Sequence, residues 1–189
     1  MESTENRRDI LKKLGLFSML CLTGMHESLA RTMGPNKATG LIIKADEGEV
    51  RYIGNTRKAK VIIKVAKTEE YTPEMSLLSE LITPGDGIPV HKHANEDEFL
   101  MVQQGQVEIR LGDHTQLGEM GDLIYVPKGT WHGFLNTSDA DVVLFFGYSP
   151  AGMEDYFRKI GTTEINQDLG FTAEDWITTN KKYGVIYKD

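Results

Sequence analysis

Gly85-Asp86-Gly87-Ile88-Pro89-Val90-His91-Lys92-His93-Ala94-Asn95-Glu96-Asp97-Glu98 holds two histidines in alternation and, five residues after the second, an acid. On a strand, residues two apart project to the same face. His91 and His93 therefore aim both imidazoles at one spot while Lys92 points away. Glu98 sits at the start of the apolar run Phe99–Val102, where its carboxylate can join the pair. A third imidazole comes at His132, after the turn Pro127-Lys128-Gly129 and at the beginning of another strand. Three imidazoles and one carboxylate form a mixed nitrogen and oxygen set that suits one divalent transition metal such as Fe, Mn, Ni, Cu or Zn. Taken singly, each member has a plainer explanation. Glu98 would be a surface acid beside a turn, and His132 a partly buried histidine with one hydrogen bond. The joint pattern carries the metal reading.

Outward from this segment the signal is β. Short apolar runs recur at Leu41–Ile43, Val61–Val65, Met75–Ile82, Phe99–Val102, Val107–Leu111, Leu123–Val126 and Val142–Phe146. Turn residues separate them, among them Pro84-Gly85-Asp86-Gly87, Gln104-Gly105, Gly112-Asp113 and Pro127-Lys128-Gly129. Many short strands at this spacing predict a sandwich or a barrel. Val107-Glu108-Ile109-Arg110-Leu111 alternates strictly, apolar side to the core. By the same parity Leu100 and Val102 share a face with Glu98, and Phe134 with His132, which gives a pocket with apolar walls. After Pro150 the period changes. Met153–Ile160 reads as a helix with acids early and bases late, which the macrodipole favours, and Gly161 as its stop. A second helix opens at an N-cap, Thr172, and runs to about Tyr183, before Gly184. Both helices are read as packing or dimer elements.

Two spaced motifs surround the four candidate ligands. The first is Gly85, five residues, His91-x-His93, four residues, Glu98, six residues, Gly105. The second is Gly121, five residues, Pro127-x-Gly129, two residues, His132, three residues, Asn136. In these ten positions the sequence resembles the cupins. The resemblance implies an all-β fold, a small double-stranded β-helix (jelly-roll) barrel with C-terminal helices, in which His91, His93, Glu98 and His132 bind one metal. The glycines and Pro127 are structural in this reading, at tight turns that favour positive φ, and Asn136 is a turn residue. Pro150–Phe157 and the ending Lys182-Tyr183-Gly184-Val185 look, more loosely, like the tails of single-domain cupins similar to quercetin dioxygenases.

That likeness implies a metal-dependent dioxygenase acting on a small enol, flavonol or diketone-like molecule together with dioxygen. Glu98 is then both ligand and catalytic base. The alternatives are a non-catalytic cupin that binds a small molecule, and a metal-dependent isomerase. The isomerase reading is weakened because no Arg or Lys cluster stands beside the motifs to hold a sugar phosphate; Lys92 points out and Lys128 lies in a turn. Family habit adds a homodimer.

The chain's 189 residues suit one domain, and 40% hydrophobic with 26% charged residues is a globular composition. A net charge of −7 argues against general nucleic-acid binding. One cysteine, Cys21, excludes an intramolecular disulfide and a Cys-rich zinc site. The division expected is an export signal over 1–30, a flexible lead-in over 31–40, the barrel over 41–150 and a helical extension over 151–189. Arg7-Arg8 before the apolar run Leu14–Gly24 resembles a twin-arginine export signal, with cleavage after Ala30. Asn6 and Ile10 depart from that pattern. The run is too short to span a bilayer. Export to the periplasm is the expectation, with a cytoplasmic protein bearing a basic first helix as its alternative.

Overall fold

Strict alternation at Gln106–Leu111 does what it predicts: Val107 and Ile109 are buried, while Gln106, Glu108 and Arg110 face solvent. A computed structural model describes residues 40–53, 59–68 and 72–188. The export signal and most of the lead-in lie outside the described residues.

Among the described residues, eleven strands form two antiparallel sheets. They are β1 (Glu49–Ile53), β2 (Ala59–Val65), β3 (Ser76–Ile82), β4 (Gly87–His93), β5 (Asp97–Gln104), β6 (Gln106–Leu111), β7 (His114–Glu119), β8 (Leu123–Val126), β9 (His132–Leu135), β10 (Val142–Ser149) and β11 (Val185–Tyr187). The six-stranded sheet runs β1-β2-β3-β10-β5-β8 and the five-stranded sheet β11-β4-β9-β6-β7. Inner faces meet in one core, where Val61, Leu78, Ile82, Val107, Val142 and Leu144 have no exposed surface. This is the double-stranded β-helix the motifs imply.

Leu41–Ile43 is not a strand. It precedes β1 without regular secondary structure, with Leu41 45% and Ile42 84% exposed. Among the described residues no strand pairs with it, and pairing begins at Glu49, opposite Ile63.

Two helices follow the barrel: α1 (Met153–Ile160) and α2 (Ala173–Lys182). In α1, Met153, Tyr156, Phe157 and Ile160 fall at helical spacing and are buried. The fully buried Glu154 accepts hydrogen bonds from the Gly152 amide at 2.7 Å and the Lys67 amide at 2.6 Å. It thereby ties the segment after β2 to the start of the helix. At the other end, Arg158 reaches Glu49 of β1 at 2.8 Å. Thr172 and Asp175 cap α2 reciprocally, and the Tyr156 hydroxyl donates to Asn180 at 2.9 Å. Chain direction then reverses at Gly184, whose φ of 68° belongs to the left-handed region. The extension thus contributes a strand as well as helices: β11 pairs with β4, Val185 opposite His93 and Tyr187 opposite His91.

Candidate metal centre

Three strands bring the four predicted side chains to one point. β4 supplies His91 and His93, β5 supplies Glu98 as its second residue, and β9 begins with His132. Across β4 and β9, His91 and His132 are direct partners. The turn before β9 is fastened to β4 by the Gly129 amide, which donates to the His93 carbonyl at 2.7 Å. Gly129 has φ 78°, a conformation costly for any residue with a Cβ. The outer ends of the two motifs are also joined. Gly85 N donates to Asn136 O at 2.9 Å, and Asn136 N donates to Asp86 O at 2.8 Å.

Potential ligand atoms of His91, His93, Glu98 and His132 all lie within 4.8 Å of one another. His91 Nε2 is 3.2 Å from His93 Nε2, Glu98 Oε2 is 2.7 Å from His132 Nε2, and the same oxygen is 3.3 Å from His93 Nε2. Ligands about 2.0–2.2 Å from a central ion stand about 3 Å apart when adjacent, so these separations fit a shared cation. Tautomers agree with this. His91 Nδ1 lies 2.9 Å from the Pro89 carbonyl and His132 Nδ1 3.0 Å from the Thr130 carbonyl. Donation to those carbonyls leaves each Nε2 lone pair aimed inward. All four residues are at most 4% exposed.

Charge is unevenly shared in this closed space. Burial, reinforced by the neighbouring His132 and His93 imidazoles, pushes His91 down to about 3. Burial opposes the charged form of Glu98, but hydrogen bonds from His132 and His93 outweigh it and hold the carboxyl well below its usual range. His132 shows the counterpart. Burial lowers it, yet the hydrogen bond and charge of Glu98 carry its value above the ordinary one. The hydrogen bond between Glu98 and His132 thus favours an imidazolium–carboxylate pair beside a His91 that resists protonation, and a divalent cation would compete with the proton on His132.

Two neighbours of the site were not singled out from the sequence. Tyr148 of β10 is opposite Glu98 in the sheet, 3% exposed, and its ring meets His93 edge-on at 5.0 Å between centroids. Burial and the charge of the adjacent Glu98 raise its pKa well above the ordinary phenol value. The apolar run at Val142–Phe146 hid this position, although inward parity through Leu144 and Phe146 points straight to it. Tyr187 of β11 is the second, its ring 5.6 Å from that of His91. Leu100, Val102 and Phe134 are buried on the faces that carry Glu98 and His132, as their parity predicts.

The family model for the cupin domain matches residues 79–148, which contain both motifs. An uncharacterised protein of Bacillus subtilis (strain 168), YrkC, is 29% identical over 144 residues, 71% of this chain and 73% of its own. An uncharacterised protein of Aquifex aeolicus (strain VF5) is 37% identical over 90 residues, 47% of this chain and 70% of its own. Quercetin 2,3-dioxygenase of the same Bacillus strain is 30% identical over 100 residues, 53% of this chain but only 28% of the enzyme. Among solved structures, KdgF from Halomonas sp. superposes with a TM-score of 0.52 at 19% identity, covering 62% of this chain and 99% of that one. Fold, motifs and matches agree: the chain belongs to the cupin superfamily.

Proposed function

We propose that this cupin holds one divalent transition metal on His91, His93, Glu98 and His132 and acts as a dioxygenase on a small enol, flavonol or diketone-like molecule. The observation that carries the reading is the buried set of three imidazoles and one carboxylate gathered within 4.8 Å. The partial likeness to a quercetin dioxygenase supports the choice of chemistry. A metal bound there supplies Lewis acidity toward a substrate oxygen and a redox partner for dioxygen.

The protein's own groups do the rest. Glu98 takes the proton from the substrate hydroxyl, and the buried Tyr148, opposite it in the sheet, packs beside that base. Buried Leu100, Val102 and Phe134 favour an apolar ring over a sugar phosphate. Oxygen uptake by metal-loaded protein, measured on a panel of flavonols and diketones, tests the proposal. Turnover in air that stops under nitrogen supports it. Tight binding of these compounds with no oxygen consumed would show a binding protein instead, and turnover under nitrogen an isomerase.

Export belongs to the same proposal, the Arg7-Arg8 segment directing the folded protein to the periplasm. Changing both arginines to lysine is expected to leave the protein in the cytoplasm, as fractionation and blotting would show. Normal export of that variant removes the twin-arginine assignment.

A further inference from the structure

The four side chains of the cluster are shut away from solvent, none more than 4% exposed. Cavities of about 440 and 150 Å³ open on the barrel, and none of the four lines either. Nothing from solution reaches the cluster until part of its cover moves. The C-terminal extension supplies that cover in two pieces held very differently. In α1, five of eight residues are buried. Its Phe157 ring lies 5.7 Å from that of Phe146 and 6.3 Å from that of Tyr148, inside the barrel. Just beyond, Thr162 and Tyr52 exchange two backbone hydrogen bonds of 2.9 Å. After Thr162 the packing thins. No residue of 163–170 is buried, and Asn166 and Gly170 take left-handed φ values of 62° and 65°. Of the ten residues of α2 one, Thr179, is buried. Phe171, Trp176 and Tyr183 are only partly buried against the core. A segment with so few buried contacts opens at a lower free energy than the domain unfolds.

This thin segment ends beside the cluster. β11 prolongs the five-stranded sheet past β4, with Val185 opposite His93 and Tyr187 opposite His91. Directly opposed residues share a face, so both project with the imidazoles, while Ile186 and Lys92 project outward. The Tyr187 ring is inclined 32° to that of His91 at 5.6 Å, yet Tyr187 is 41% exposed. It therefore meets a ligand on one side and water on the other. We propose that α2 and β11 form a lid that peels from β4 as one unit, hinged in 163–170, and that this opening is how a cation and a substrate reach His91 and His93. Its purpose rests on the metal reading above; its geometry does not. Few bonds hold the lid closed. The Ala94 amide donates to the Gly184 carbonyl at 2.8 Å and the Lys188 amide to the Val90 carbonyl at 2.9 Å, at the two ends of β11. Tyr156 of the fixed helix α1 is the latch, its hydroxyl on Asn180 at 2.9 Å and its ring 5.6 Å from that of Tyr183.

A reversible bridge across the lid tests this. In a full chain carrying Cys21→Ser, Lys92→Cys and Ile186→Cys put thiols on directly opposed outward positions of β4 and β11. Such positions lie about 4.5–5.5 Å apart between Cα atoms, within reach of a disulfide. Metal-free protein is treated with diethyl pyrocarbonate, and labelling of His91, His93 and His132 is followed by mass spectrometry with the exposed His114 as internal reference. Oxidation is expected to slow labelling of the three buried imidazoles at least about tenfold relative to the reduced form, with His114 unchanged. Glu108→Cys with Leu117→Cys, the same bridge between β6 and β7, is expected to slow nothing. Hydrogen exchange on the unsubstituted chain is expected to show α2 and β11 exchanging as one unit, faster than α1. Equal labelling in the oxidised and reduced forms, slowing by the β6–β7 bridge as well, or α2 and β11 as protected as α1 each overturns the lid. The labelling uses no ion, so a protein that binds no metal defeats the dioxygenase reading while the lid is still decided.

Discussion

At the scale of single residues, His93 and Tyr148 divide the work around Glu98. His93→Ala removes a ligand from a closed set, and metal affinity is expected to fall at least about a hundredfold, read by elemental analysis after dialysis. Tyr148→Phe keeps the ring against His93 and deletes only a buried hydroxyl on the residue opposite Glu98. The expected result is retained metal affinity, read by the same elemental analysis. Protonation sets a third expectation. His132 holds its proton more tightly than an ordinary histidine, so metal binding at pH below its raised value expels a proton from it, visible as buffer-dependent heat in calorimetry. In metal-free protein, His91 and Glu98 bind protons more weakly folded than unfolded. The His91 contribution is present above about pH 6.5 and is lost as pH falls toward about 3; the Glu98 contribution is present above about pH 4.5 and is lost as pH falls below it. His132 has the opposite sign: its contribution is present in acid and fades as pH rises through its raised value. The four side chains of the cluster were legible because turns at fixed spacing set strand parity. Tyr148 was not, since its role comes from being opposite Glu98 on a strand far along the chain.

Among the elements, β4 and β9 must stay in contact for His91 to meet His132. A Cβ on Gly87 would run into the Phe134 carbonyl oxygen and lie 2.8 Å from Leu135 Cα, both backbone. Gly87→Ala is therefore expected to part these strands and lower thermal stability and metal affinity together, as thermal unfolding and metal titration would show. Asn136 is more than a turn residue. Fully buried, it donates to the Ile82 and Ala140 carbonyls at 3.0 and 2.8 Å and accepts from the Ser138 amide at 3.0 Å. Asn136→Ala is expected to cost about 2–3 kcal/mol in denaturant unfolding, with metal affinity nearly unchanged in the folded protein. Both helices were readable from caps and charge order. The strands β7 and β11 were not. His114–Glu119 buries one residue of six and has no apolar period, and Val185–Tyr187 is too short to show one.

For the whole molecule, the barrel followed from ten motif positions and repeated strand spacing. Sequence could not show the strand order within each sheet, because that depends on pairings across distant segments. Within the described residues no helix is long and apolar enough to cross a membrane. The placement of β11 has its own effect on synthesis. Until Val185–Tyr187 have been made, the hydrogen-bonding rim of the strand bearing His91 and His93 is bare, so the wall behind the two imidazoles cannot close before the segment that follows both helices has been synthesised. A purification handle inserted just after Tyr187 would press on that seam, and a loop between other strands is the safer place for one.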